Sequence, residues 1–456
     1  MGTVGINFGA ASSGQGFDVA STVTAILSSQ QAIESPWQTQ LASLKAQDTV
    51  FTTLGSDLST LTTAMQSLTD FSGVLSAKQG SSSDTNILEL TSAATNSIAG
   101  SHTIVVSQLA QTSSNYSDTL TNAGDKLSGS LTIQVGSAAS QTITIDSTNN
   151  TLATLASAIN AAGMGVNASV ITDVSGSRLS LVSGTSGSAG QLSITTGLTD
   201  ATTSTAIGFN TGQTGQDANL TVDGVSLNSG SNTVTTAIPG VTFQLLSTSA
   251  SPIQVQITND TTSIATAMSN VVSAYNKVIN DINGQEGKDS SGNAEPLFGS
   301  TTLSLLQNQL SSALISGSSS GSISSITQLG IGFNQDGTLT LNGDTLNTIL
   351  NSKFSDVAGF LQNSGSFGQS FVSTLNNLGT QAPDGSIYLA QQQNSAQEAT
   401  LNQSISNEEA LLASEKTSLT TELNTANQVL QSIPAQLNQV NEMYSAVTGY
   451  NTRNGG

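Results

Sequence analysis

The chain has 456 residues, a net charge of −20 from 29 acidic and 9 basic side chains, one histidine and no cysteine. Those numbers exclude Cys/His metal centres and disulfides, leave His102 as the one imidazole that could activate a nucleophile, and disfavour phosphate-backbone and anionic-membrane partners, which need clustered Lys and Arg. Charged residues make up 8% of the chain against roughly 25% in ordinary globular domains, so Ser, Thr, Asn, Gln and Gly carry the polarity, as in fibrous and surface proteins.

Other binding chemistry also lacks its parts. No D-x-[DN]-x-[DN]-G loop and no G-G-x-G-x-D repeat is present for calcium. No run approaches the ~18–20 apolar residues of a transmembrane helix. Residues 1–33 hold no Lys or Arg, so they lack the charged start of a cleaved secretory signal. The expectation is a non-enzymatic structural protein with no catalytic residues, no cofactor, no metal, no nucleic acid and no membrane insertion.

In chain order, residues 1–17 read as a Gly/Ser-rich tail, disordered when alone. Residues 18–75 read as helices. Asp18 is a candidate N-cap for a segment carrying Val19, Val23 and Ile26. Glu34-Ser35-Pro36 interrupts it, because the residue before a proline is pushed out of helical dihedrals, and Trp37 follows as a packing anchor. Phe51, Leu54, Leu58, Leu61, Met65 and Leu68 then fall at alternating spacings of 3 and 4, an a/d stripe. The same stretch carries many Ser and Thr side chains plus Gly55, an intrinsic deficit of ~5–6 kcal/mol relative to alanine. Burying six large apolar side chains contributes on the order of 9–18 kcal/mol, so the helix is unstable alone and stable when docked.

Residues 76–260 alternate with the period of strands, notably at Leu88–Leu90, His102–Val106, Leu131–Val135 and Thr142–Ile145. One helix is expected at Leu152–Asn160, ended by Gly163. Asp223-Gly224 between Leu220–Val222 and Val225–Leu227 predicts a type I′ hairpin. Helix returns at Ile264–Ile282 and Thr301–Leu314, and a second hairpin spans Ile331–Leu341. In the C-terminal window from 386 to 433, free of Gly and Pro, the apolar stripe reaches Leu419, Leu423, Leu430 and Ile433 and runs on to Leu437 and Val440. Pro434 interrupts that stripe, so a kink or break is expected there. The outermost parts, 19–33 and 437–447, are read as contacts between copies, since helices of such poor propensity gain most from assembly. The fold class is α+β multidomain: a coiled-coil-like helical domain built from both termini, with β-rich domains inserted.

Several ordered strings carry a family resemblance. They include Gly16-Phe17-Asp18-Val19, Gly100–Ala110, Thr151–Leu181, Val222-Asp223-Gly224, Pro239–Phe243, Leu297-Phe298-Gly299 and Leu329–Leu339. Together they resemble the flagellar filament cap family, also called flagellar hook-associated protein 2. The departures are a C-terminal stripe poor in Arg and Lys and the proline within it. The resemblance implies a helical leg (18–75, 261–385 and a coiled-coil helix and tail at 386–456). It also implies an inner β head at 76–111 and 216–260, and an outer β head with one short helix at 112–215. It implies type III export with a chaperone, a location outside the cell at the filament tip, and a homo-oligomeric closed ring that retains flagellin and promotes its folding and insertion. Hook-filament junction proteins are further implied partners. Another exported axial protein or a surface adhesin is the alternative.

Overall fold

Asp18 opens the first helix with its carboxylate, which accepts from the backbone N–H groups of Ala20 and Ser21. This satisfies donors that have no partner inside the helix. Helix α1 (Val19–Gln31) ends before α2 (Glu34–Thr69), and Pro36 falls in the first turn of α2, where a missing N–H is tolerated. The computed structural model describes residues 16–316 and 321–449. The expected N-terminal tail lies outside them apart from Gly16 and Phe17, as does most of the C-terminal tail.

Strands follow: β1 (Lys78–Ser82), β2 (Leu88–Ala93) and β3 (Gly100–Gln108). An inserted set comes next, with β4 (Thr112–Ser117), β5 (Leu127–Ser128), β6 (Ser130–Val135), β7 (Gln141–Thr144), α3 (Leu152–Ala161), β8 (Val166–Asp173), β9 (Gly176–Ser186), β10 (Leu192–Thr196), β11 (Thr199–Asp200) and β12 (Phe209–Gln213). The first set resumes as β13 (Ala218–Val222), β14 (Val225–Ser229), β15 (Thr233–Ile238), β16 (Val241–Leu245) and β17 (Ile253–Asn259). The chain finishes with α4 (Thr261–Gly284), α5 (Thr301–Ile315), β18 (Ile331–Phe333), β19 (Leu339–Leu341), α6 (Gly343–Ser352), α7 (Phe354–Gln362), α8 (Phe367–Leu378) and α9 (Ser386–Thr448).

Two compact units result: residues 67–267 form one, and the remainder, before and after them, forms the other. Inside the β unit there are two separate apolar cores. One gathers Leu88, Ile104, Val106, Leu220, Phe243 and Val255 between the sheets β1-β17-β3-β13-β14 and β15-β16-β2. The other gathers Leu131, Leu155, Ile159, Leu179 and Leu181 under α3. Alternation fixes these faces, because inward residues recur at every second position of a strand. The β13–β14 hairpin turns at Asp223 (φ 50°) and Gly224 (φ 84°), the positive dihedrals a type I′ turn requires.

In the helical unit, Phe360, Phe367 and Phe371 stack with centroids 5.0 and 5.6 Å apart, beside the buried Tyr275. Asn276 pins the β18–β19 hairpin to α4: its Nδ2 donates to the carbonyl of Leu339 at 2.8 Å and its Oδ1 accepts from that residue's N–H at 2.6 Å. The break expected at Pro434 does not occur, since α9 runs as one helix through it. Proline's fixed φ is itself helical, and on an exposed helix water can serve the carbonyl of Leu430 that loses its donor.

Candidate assembly surfaces

The N-terminal stripe is occupied within the chain. Phe51, Leu54, Leu58, Leu61, Met65 and Leu68 are all buried. Helix α2 runs antiparallel to α9: Asn394 donates to Asp48 at 2.9 Å and Gln391 to Thr52 at 3.1 Å, so moving up one helix moves down the other. That register continues into α1. The N–H of Phe17 donates to Oδ1 of Asn427 at 2.9 Å, and α1 packs on α9, burying Val19 and Val23 and half-burying Ile26. Residues 19–31, expected to face other copies, therefore have an intramolecular partner. Their apolar positions match the spacing of the C-terminal stripe, and docking there removes them from water within one chain.

The C-terminal stripe divides in two at this boundary. Leu419, Leu423, Leu430 and Ile433 are half-buried. Beyond Gln431, which lies beside Gly16, α9 continues to Thr448, a further roughly 25 Å at the rise of an α-helix. Along that extension Leu437 is 47%, Val440 55% and Val447 85% exposed, and Met443 and Tyr444 are exposed with them. A helical row of exposed apolar side chains of this length is a candidate interaction surface.

Two polar features had no clear signal in the sequence. At the joint of α1 and α2, Glu34 is 5% exposed, and the buried Oε1 atoms of Glu34 and Gln30 have no hydrogen-bond donor among the described residues. On α4, Lys277 reaches Asp57 of α2 at 3.2 Å and Asp281 at 2.5 Å. Burial pushes the Asp57 carboxyl above the usual carboxylate range. Trp37, expected as an anchor, is half-buried on α2. His102 is a strand residue, its Nδ1 2.7 Å from Asp223 at the hairpin tip.

A groove of about 550 Å³ between α2, α9 and the 296–302 segment is lined by Gln40, Gln47, Gln393, Leu297 and Phe298, and none of its lining side chains titrates. Among the described residues no group of three or more His, Cys, Asp or Glu side chains is placed to hold a metal, and no helix is long and apolar enough to cross a membrane.

Comparison with known proteins follows the same divisions. Residues 15–113 match the family described as Flagellar hook-associated protein 2 N-terminus, and residues 215–447 match Flagellar hook-associated protein 2 C-terminus. Residues 130–185, inside the inserted β set, match the Flagellin hook IN motif. The chain is 33% identical over 353 residues to the B-type flagellar hook-associated protein 2 of Pseudomonas aeruginosa, covering 70% of this chain and 74% of that one. It is 31% identical over 378 residues to the flagellar hook-associated protein 2 of Escherichia coli K12, covering 77% and 80%. Among solved structures it resembles the D1-D2-D3 domains of the flagellar cap protein FliD from Escherichia coli, with TM-score 0.58 and 29% identity over 76% of this chain and 99% of that one.

Proposed function

The chain belongs to the flagellar hook-associated protein 2 family, the caps of bacterial flagellar filaments, and from that premise we propose how its own residues do the capping. The protein is a structural component that sits outside the cell at the distal tip of the filament. Copies associate into a closed ring through the far end of α9, where Leu437, Val440 and Val447 are exposed beyond the start of α1. That single observation carries the reading: an apolar row with no partner among the described residues gains about 25 cal/mol per Å² when a neighbour covers it. The half-buried part of the stripe, Leu419 to Ile433, holds each leg together, and the exposed part joins legs to one another and to the filament beneath.

Flagellin arriving at the tip is retained under the β heads and folds in the space the legs bound; insertion requires a leg to yield. The mechanism is confinement and exchange of apolar contacts, with no bond chemistry. Termini rich in Ser and Thr suit passage through an export channel unfolded, with a chaperone holding the stripe beforehand, because such helices order only on docking. Hook-filament junction proteins are proposed as further partners of the same exposed row.

The test replaces Leu437, Val440 and Val447 with asparagine in the full chain. Light scattering should show the closed oligomer falling to smaller species while helicity from 34 to 69 persists. Cells carrying the triple variant should release flagellin unpolymerised. An oligomer unchanged by the three substitutions overturns the assignment.

A further inference from the structure

The two apolar cores of the β unit share no residue, and the chain passes between them only twice, at 109–111 and at 214–217. The two crossings share one antiparallel backbone rung, and the side-chain amides of Gln213 and Gln216 both donate to Oε1 of Gln111 beside it. The N–H of Gln111 donates to the carbonyl of Gln216 at 2.8 Å, and the reverse bond is 3.1 Å. One ladder rung of this kind fixes little orientation. A polar clasp beside it adds to the bonds of the Ser186 hydroxyl to the Gly230 carbonyl at 2.7 Å and of the Gly187 N–H to the Gln111 carbonyl at 3.1 Å in holding the outer head against the inner one. Asp217 of the inner head accepts from the N–H of Ser188 at 2.7 Å, and both its oxygens accept from the Ser188 hydroxyl at 3.0 Å. The same loop is seated tightly. Gly187 has φ +81°, and a Cβ there would lie 2.6 Å from Oδ1 of Asp217 and 2.7 Å from Cα of Gly230.

We propose that the outer head is a rigid body on a two-strand hinge and that the Asp217–Ser188 clasp is its latch. Each half of the idea has its own support. Separate cores let the outer head swing while each keeps its own packing, which is how hinges work. A clasp made of charge-assisted bonds at a solvent-facing edge sets one orientation, yet is modest enough to open and reclose. A plate of such heads can re-tilt its outer layer while the inner layer keeps its packing.

The chain has no cysteine, so a labelled pair is clean to introduce. Val174→Cys, at the fully exposed tip of the β8–β9 hairpin, and Ser226→Cys, on β14, place one spin label on each head. Labelled full-length chain is diluted into unlabelled chain, and the label–label distance distribution is measured. Asp217→Ala should widen it roughly twofold. Gly187→Ala should widen it by a different route, because the added methyl group pushes the loop off the carboxylate. Hydrogen exchange at Leu131 and Leu179 in the outer core, and at Val106 and Val255 in the inner, should stay as in the parent. Distributions as narrow as the parent's in both variants overturn the latch, and loss of exchange protection in both cores together overturns the hinge.

Discussion

At the scale of single residues, the leg holds one unfavourable side chain where it joins its first two helices. Glu34 lies in the first turn of α2, where the helix dipole favours a carboxylate by about 0.3–1 kcal/mol. It is buried there with an oxygen that no donor among the described residues reaches, which costs about 1–3 kcal/mol. The cost wins. Glu34→Leu should therefore raise the stability of the helical unit by about 1–2 kcal/mol, read as a higher urea midpoint by circular dichroism. A lower midpoint would mean a donor reaches Glu34 after all. Lys277 is the contrasting case: its charge is answered by Asp57 and Asp281, and its own exposure keeps such a pair near the small contribution of surface ion pairs.

At the scale of elements, α9 carries its cost openly. Pro434 lacks the N–H that would bond the carbonyl of Leu430, and a proline in a helix interior costs about 3 kcal/mol. Pro434→Ala should raise far-ultraviolet helicity and slow hydrogen exchange across residues 428–440; unchanged exchange would show that the helix is held there by something other than its own hydrogen bonds. Most elements were legible in the sequence for physical reasons. The Asp223-Gly224 turn, the 3–4 stripe of α2 and the Asp18 cap each rest on a local rule that the tertiary structure had no cause to override. The break at Pro434 was misjudged because the rule for proline describes an energy, and a long exposed helix can absorb it. The intramolecular partner of α1 was missed for a different reason. Val19 and Val23 look equally ready for a neighbour or for the chain's own C-terminal stripe, and only the antiparallel register set by Asn394 and Asn427 decides between them. Polar positions such as Asp217, Glu34 and Asn276 have no periodicity, so their partners are invisible until the chain is folded.

At the scale of the whole molecule, two compact units, one of them holding two separate apolar cores, imply more than one unfolding transition, since cooperativity follows shared buried surface. The pH dependence follows from where the aspartates sit. In the β unit, the Thr148 hydroxyl holds Asp146 below the usual carboxylate range, the Thr202 N–H does so for Asp200, the Thr103 N–H for Asp223 and the Ser263 hydroxyl for Asp260. A carboxyl whose pKa is lowered by folding adds stability above its unfolded value of 3.8, and that stability is lost as pH falls through the folded value. Asp57 in the helical unit has the opposite sign: raised by burial, it favours the folded state below the unfolded value and opposes it as pH rises. Self-repulsion acts on both units, because a net charge of −20 shrinks toward zero as pH approaches 4.1. Acidification from neutrality to about pH 4 should therefore leave the β-unit transitions level or slightly higher, and further acidification should lower them as the four aspartates protonate. The helical unit should fall as well, since Asp281, Asp289, Asp336 and Asp356 are lowered there, with Asp57 offsetting part of that loss. Calorimetry at a series of pH values resolves this: one transition with a single acid slope would mean that the two units stand or fall together, and that no part of a leg can loosen while the heads keep their fold.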